Sequence, residues 1–172
     1  IARDWDRYLE DIAQANVIIS NIDKVPDPSF SETERQQWKA EAKIFRGMML
    51  FDLAHWFGNI PLNLSEAPDI TADNIEEVYP IYFPMPVSQD SAYKQVIKDL
   101  TEAIPYAPAL NPNDKRVLSK TVAYALLAKL YAELGEWDKV IEYSDKVCGD
   151  GIALADNYAD LWKFDENLGD AT

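Results

Sequence analysis

The stretch AYALLAKLYAELGEWDKVIEYSDKV, residues 123–147, decides the fold, because two helical patterns meet in it at a glycine. The first half is rich in Ala and Leu and follows Ser119, a residue type that begins helices. Gly135 interrupts the pattern, and the second half resumes it as far as the sequence GDG. The stretch therefore predicts an antiparallel helix hairpin.

The same stretch fits the tetratricopeptide pattern, which has a period of about 34 residues. Tyr124 and Leu127 occupy its early large positions, Ala128 its small position and Gly135 its turn. The small residue lets two helices approach closely, and the large ones fill the space between them. Repeats of this kind serve many functions, so the pattern predicts architecture and no particular partner.

Helical periodicity also marks three segments upstream of this hairpin. Apolar residues recur every three or four positions from Trp5 to Ile22, and Ser88 begins a similar pattern that prolines end after Ile104. Between them, Ser31 and Glu34 form a capping-box pattern at the start of a long helix that runs to Phe57. We predict an all-α fold of tetratricopeptide-like helix-turn-helix hairpins that form an α-α superhelix with one long irregular loop, in a single domain over residues 1–172.

The long helix that ends at Phe57 carries apolar residues on two faces, which predicts packing on both sides. One face comprises Trp38, Ala42, Phe45, Met49, Leu53 and Trp56, and the other comprises Ala40, Ile44, Met48 and Phe51. Trp56 and Phe57 are expected to be packed and to fix the turn at Gly58.

Residues 62–87 are the least regular part of the chain, with several prolines, and we expect a long loop with one helical turn at 74–79. Tyr79, Tyr82 and Phe83 cluster in it. Aromatic rings can stack against the C–H faces of sugars, so these three are the candidate glycan-binding residues. The alternative is that the rings fold back onto neighbouring helices. Amide side chains that could add hydrogen bonds to a sugar are Asn63, Asn74 and Gln89.

The net charge of −14 and the pI near 4.3 argue against nucleic acid or an anionic membrane surface as a partner. Neutral ligands such as oligosaccharides carry no such penalty. The acidic residues are spread along the chain, and pairs such as Asp99 with Glu102 and Asp138 with Glu142 are expected to be solvated helix-face charges. No run of 18 or more apolar residues occurs.

No residue pattern indicates catalysis, a cofactor or a metal, and we predict that the chain is not an enzyme. His55, the only histidine, is expected at a helix end, where imidazole sits well near terminal carbonyls. Zinc would need further His or Cys ligands at suitable spacing, and Cys148 is the only cysteine. The sequence DENLGD at 165–170 lacks the spaced oxygen ligands of a calcium loop.

Four segments in order resemble the SusD/RagB-like outer-membrane lipoproteins of glycan-using bacteria. They are AEAKIFRGMMLFDLAHWFGNIPL (40–62), YKQVIKDLTEAIPYAP (93–108), RVLSKTVAYALLAKLYAELGEWDKVIEYSDKV (116–147) and NYADLWKFDEN (157–167). Gly47 replaces the alanine that is usual in the first segment. The lipidated amino-terminal cysteine and the large carboxy-terminal half of that family are not in this sequence, so we interpret the chain as its helical-repeat portion.

The resemblance implies a surface-exposed lipoprotein of the cell outer membrane, held there only through a lipid anchor that this sequence does not include. It implies capture of a neutral oligosaccharide and its handover to a SusC-like TonB-dependent transporter. A tetratricopeptide-type scaffold that binds a protein or peptide is the alternative.

Overall fold

The computed structural model describes residues 5–111, 114, 116–152 and 156–159, and this part of the chain is mostly helical. A single 3-10 turn, Ile22–Lys24, follows the first helix. The helices are α1 (Trp5–Asn21), α2 (Glu32–Phe57), α3 (Ile75–Tyr82), α4 (Gln89–Ala103), α5 (Lys120–Leu134) and α6 (Trp137–Gly149). Two short strands, β1 (Ile60–Pro61) and β2 (Pro86–Val87), form the sheet.

Local sequence signals set the helix boundaries. The Ser31 side chain accepts a hydrogen bond from the Glu34 N–H, and the Glu34 carboxylate accepts one from the Ser31 N–H, so the predicted capping box is confirmed. At the start of α4, the Ser88 side chain accepts a hydrogen bond from the Ser91 N–H. Gly135 ends α5 in the left-handed conformation, with φ of 73°, which a residue with a side chain adopts less readily.

The helices pack as a series in which α1 lies on α2, α2 on α4, α4 on α5, and α5 on α6. One apolar core runs through the series, and its fully buried side chains include Ile44, Leu50, Leu100, Leu127 and Leu130. The predicted all-α arrangement of paired helices is therefore confirmed.

The prediction for the ends of α2 is wrong. Trp38 and Trp56 are 58% and 51% exposed, whereas Leu53 and Phe51 are buried. Both ends of α2 are contacted, by the 3-10 turn near Lys39 and by α5 at His55, so the two tryptophans are exposed because they lie on a side of the helix that these neighbours leave open. Phe57 is also partly exposed, and its ring meets Trp5 edge-to-face with 4.7 Å between centroids.

Gly47 of α2 faces Leu100 of α4. A Cβ atom at this position would lie 3.2 Å from Leu100 Cδ2, which is closer than ordinary van der Waals contact. The absence of a side chain therefore suits the contact between the two helices.

Between α2 and α4 the chain leaves the helical series, in a segment we call the excursion (residues 62–85). The antiparallel strands close its neck, with Ile60 opposite Val87 and Pro61 opposite Pro86. The excursion is more regular than predicted, because α3 extends over eight residues to Tyr82 despite Pro80 within it. The candidate residues Tyr79 and Tyr82 thus lie on a helix, and Phe83 is its C-cap residue.

Candidate functional site

A buried ion pair lies where α2 meets α4. Arg46 is 5% exposed and Asp99 is 1% exposed. The guanidinium donates two hydrogen bonds to the carboxylate, from Nε to Oδ2 at 2.8 Å and from Nη2 to Oδ1 at 2.6 Å. Such a bidentate pair is strong and fixed in geometry. The expectation that Asp99 is a solvated helix-face charge is therefore wrong.

Asn16 of α1 connects this ion pair to the start of the excursion. Its Oδ1 accepts a hydrogen bond from Arg46 Nη1 at 2.8 Å. Its Nδ2 donates to the Asn63 carbonyl at 3.0 Å and lies 3.4 Å from the Ser65 carbonyl. Asn16 is itself 1% exposed, and protein groups on α2 and the excursion satisfy its amide.

The sequence contains a signal for this ion pair, although the sequence analysis did not predict it. Arg46 stands between Ala42 and Leu53 on a stripe predicted to be apolar, and Asp99 stands between Val96 and Ala103 at core spacing. One basic and one acidic residue at core positions of adjacent helices indicate a buried pair, because an unpaired charge there is very costly.

The three candidate glycan-binding residues lie at the end of α3. Tyr79 and Phe83 are 61% and 66% exposed, and their rings are tilted by 35° with 4.9 Å between centroids. Tyr82 is less exposed, and its hydroxyl donates a hydrogen bond to the Pro68 carbonyl at 2.8 Å. Tyr79 and Phe83 therefore present an exposed ring pair, while Tyr82 is held against the excursion.

A cleft of about 510 Å³ separates α1 from the excursion. Two of the candidate residues, Tyr82 and Phe83, line it, and Tyr79 stands beside it through its contact with Phe83. The other lining residues are Leu9, Ile12, Ala13, Asn16, Pro61, Asn63, Ala67 and Pro84. A largely apolar cleft with a few amides and rings has the character of a small-molecule site.

The three amides proposed as sugar ligands bind the chain itself. Asn63 Nδ2 donates to the Ile81 carbonyl at 3.1 Å, and Asn74 Nδ2 donates to the Asp69 carbonyl at 2.9 Å. Gln89 Nε2 donates to the Ala54 carbonyl at 2.8 Å. Each of these side chains therefore uses a donor within the chain and shapes the excursion or its neck.

The surroundings of the ring cluster are acidic. No lysine or arginine lies between Arg46 and Lys94 in the sequence. The excursion carries only negative formal charges, on Glu66, Asp69, Asp73, Glu76 and Glu77. An anionic ligand at this surface would meet repulsion from every charged group of the excursion.

His55 lies in the last turn of α2, as predicted. Its Nδ1 is 3.6 Å from Glu133 Oε1, and its ring stacks on Phe51 with 5.8 Å between centroids. Across the described ranges, no group of three or more His, Cys, Asp or Glu side chains could hold a metal ion. The segment 165–170, examined in the sequence for calcium ligands, lies outside those ranges.

The second acidic pair behaves as expected, since Asp138 and Glu142 are on the exposed face of α6. Hydrogen bonds from Lys139 and then Lys146 lower the pKa of Glu142 from 4.5 to about 2. A hydrogen bond from Lys43 likewise holds the pKa of Glu102 below its ordinary value. These perturbations come from surface ion pairs and not from a catalytic cleft.

The described helices pack as a series, and the excursion between α2 and α4 presents two exposed rings, so the architecture is that of a helical-repeat protein. The family model for SusD-like proteins described as "Starch-binding associating with outer membrane" matches residues 1–132, and the chain belongs to this family. SusD-like proteins are carbohydrate-binding and non-catalytic, and the family is associated with the outer membrane. No helix within the described ranges has the length and apolar character to span a bilayer.

Solved structures agree with the family assignment. A laminarin-binding SusD-like protein is 27% identical, with a TM-score of 0.76 over 92% of this chain and 33% of its own. A SusD superfamily protein from Bacteroides vulgatus ATCC 8482 is 23% identical, with a TM-score of 0.75 over 95% of this chain and 32% of its own. Another, from Bacteroides thetaiotaomicron VPI-5482, is 20% identical, with a TM-score of 0.75 over 92% of this chain and 37% of its own.

The last two similarities show the fold alone. The chain spans about a third of the length of the solved relatives that it matches. Among proteins of curated function, none matches the chain.

Proposed function

We propose that this chain is the helical-repeat domain of a surface lipoprotein that captures a neutral oligosaccharide without chemical change. The captured glycan passes to a SusC-like TonB-dependent transporter in the outer membrane. Membership of a carbohydrate-binding family that associates with the outer membrane supports this proposal. The laminarin-binding relative supports the choice of a glycan as ligand.

The observation that carries the proposal is the exposed ring pair of Tyr79 and Phe83. Contiguous exposed apolar surface is typical of binding sites, and the two adjacent rings contribute to such a surface. The C–H face of a pyranose packs on such rings, and the excursion already holds them in place before the ligand arrives. The cleft beside Phe83 extends the apolar surface available to a bound chain.

A neutral ligand fits the charge of this region. The five carboxylates of the excursion would repel uronic acids and sulfated sugars, whereas uncharged glucans or mannans lose nothing. Repulsion between exposed charges weakens with salt, because the Debye length is only about 8 Å at physiological ionic strength. Discrimination against an anionic glycan should therefore be greatest at low salt.

The experiment is a binding screen with soluble neutral polysaccharides, laminarin and starch among them, and with a sulfated derivative of each. We expect retardation in affinity gels by a neutral glycan only. The Tyr79→Ala/Phe83→Ala variant should bind about tenfold more weakly, which corresponds to about 1.4 kcal/mol. The control is Trp137→Ala, which removes an equally exposed ring from α6.

Two outcomes would count against the proposal. Undiminished binding by the double variant would remove the ring pair from the site. Failure of every neutral glycan to bind, with a folded chain, would remove glycan capture from this part of the protein.

A second candidate function is the binding of a protein or peptide by a tetratricopeptide-type surface. Trp137 and Ile141 favour it, because both lie on the outer face of α6 and are 65% and 60% exposed. Apolar residues at such i and i+4 positions are typical anchors for a partner helix. Capture of a purified transporter by the wild-type chain and its loss in Trp137→Ala would support this function for α6.

A further inference from the structure

We propose that Asn16 and Asn63 are positioning residues that fix the ring cluster relative to the helical core. This inference deepens the proposed function and rests on it, since the cluster is taken as the glycan platform. Neither residue is expected to donate a hydrogen bond to the sugar. Their role is to connect a rigid buried ion pair to the far end of the excursion.

The first link runs from the core to the neck. The Nε and Nη2 atoms of Arg46 donate hydrogen bonds to the carboxylate of Asp99, and its Nη1 donates one to Asn16 Oδ1. This orients the Asn16 amide so that its Nδ2 faces the carbonyls of Asn63 and Ser65. Three helices thereby determine where the excursion begins.

The second link crosses the excursion. The Asn63 side chain accepts a hydrogen bond from the Ser65 N–H at 3.1 Å, which forms a local turn. Its Nδ2 donates to the carbonyl of Ile81, which lies between Tyr79 and Phe83 in the sequence. A single side chain thus joins the entry of the excursion to the last turn of α3.

The geometry gives these links a consequence for binding. The rings lie at the end of a segment that a two-residue strand pair closes at its neck. The bond from Asn63 to the Ile81 carbonyl is one of the contacts that hold α3, together with the burial of Val78. Ordering a loop on ligand binding lowers affinity, and a segment that is already ordered avoids that cost. Loss of the bond from Asn63 to Ile81 should therefore weaken glycan binding without removing a ligand contact.

The test is Asn63→Asp, which keeps the acceptor for Ser65 but replaces the donor to Ile81 with a carboxylate oxygen that faces the same carbonyl. The matched control is Asn59→Asp, which adds the same charge near the same neck. Asn59 Oδ1 accepts from the Gln89 N–H at 3.3 Å, and an aspartate preserves that acceptor. Hydrogen exchange by mass spectrometry is measured on each chain, followed by titration with the neutral glycan that binds best in the screen.

We expect the amides of residues 75–83 to exchange about threefold faster or more in Asn63→Asp, since an opening that breaks one hydrogen bond fewer is easier. Exchange in α5 and α6 should not change, and glycan affinity should fall about threefold. Asn59→Asp should alter neither quantity.

Unchanged exchange at 75–83, or an equal change in both variants, would overturn the positioning role. The exchange result needs no ligand, so it stands apart from the proposed function, which fails instead if the wild-type chain binds no glycan. Should Asn63→Asp not fold, Asn63→Ser retains an acceptor for Ser65 and is too short to reach Ile81.

Discussion

Two regions of the molecule, both built from packed helices, differ in what they bury. The first region comprises α1, α2 and α4, and the second is the hairpin of α5 and α6. In the first group, a charged pair and an asparagine are buried at the centre, and the excursion departs from beside them. In the hairpin, stacked rings of Tyr131 and Tyr143 lie between the helices, with 5.7 Å between centroids. Its charged residues Lys139, Glu142 and Lys146 pair on the surface.

We infer from this difference that the first region positions the excursion, whereas the hairpin supports the fold. A buried ion pair adds little net stability compared with apolar side chains of similar size. The two hydrogen bonds between Arg46 and Asp99 nevertheless fix the geometry of this pair. That property suits a region that must place a loop and its rings. An apolar hairpin with surface ion pairs gives stability at low cost and specifies no such feature, so we interpret it as the supporting part.

The sharpest test of this difference is Asp99→Leu. It leaves the Arg46 guanidinium buried without its carboxylate, and we expect a loss of about 3–5 kcal/mol in the free energy of unfolding. The double variant Arg46→Met/Asp99→Leu should recover part of this loss, because no charge remains buried, but Asn16 Oδ1 loses its donor Arg46 Nη1. Urea denaturation followed by circular dichroism measures both, and equal instability of the single and double variants would contradict the account.

Apolar truncation in the hairpin should have the next largest effect. Leu127 is fully buried, and Leu127→Ala should cost about 2–4 kcal/mol through lost contacts and a residual cavity. In the same variant, hydrogen exchange at residues 75–83 should not accelerate more than the loss of global stability accounts for. Selective acceleration of exchange there would show that the hairpin also positions the excursion.

Trp56→Ala should cost only about 1 kcal/mol, although the sequence pattern predicts a packed side chain. About half of Trp56 is exposed, so truncation removes a limited apolar contact and leaves no enclosed cavity. Leu53→Ala, three residues earlier on the same helix and fully buried, is the matched comparison. Equal losses of melting temperature in the two variants would mean that Trp56 is covered in solution.

The smallest effect is expected at Glu142. Its pKa is lowered from 4.5 to about 2 in the folded chain by the two lysines. A lowered folded-state pKa stabilises the fold above pH 4.5, and this contribution is lost as the pH falls through about 2. The stability difference between the wild type and Glu142→Gln should therefore be present at pH 6 and absent near pH 2. A carboxyl resonance that titrates near 4.5 would show that the surface pairs do not persist.

Local signals made most of the fold predictable from the sequence. The helix caps involve hydrogen bonds between residues only a few positions apart, so a short stretch of sequence is enough to predict them. The examples are Ser31 with Glu34, Ser88 and Gly135. The period of the apolar residues likewise gave the helices. Exposure of Trp38 and Trp56 was not predictable, because it depends on which sides of α2 the neighbouring elements cover.

The candidate site was predictable only in part. The composition of the proline-rich segment identified the rings of Tyr79, Tyr82 and Phe83, but the extent of α3 and the cleft against α1 depend on tertiary contacts. Arg46 and Asp99 are far apart in sequence. In the periodic pattern each is a single charged residue at an apolar position, and the pattern does not show that the two residues pair. The roles of Asn16 and Asn63 follow from carbonyl positions that no sequence pattern encodes.

The most direct measurement is hydrogen exchange on the wild-type chain with and without a bound neutral glycan. The account predicts that protection increases at residues 75–83 and along the face of α1 that lines the cleft, with little change in α5 and α6. Protection confined to α5 and α6 would contradict the assignment of the excursion as the ligand-binding region and of the hairpin as its support.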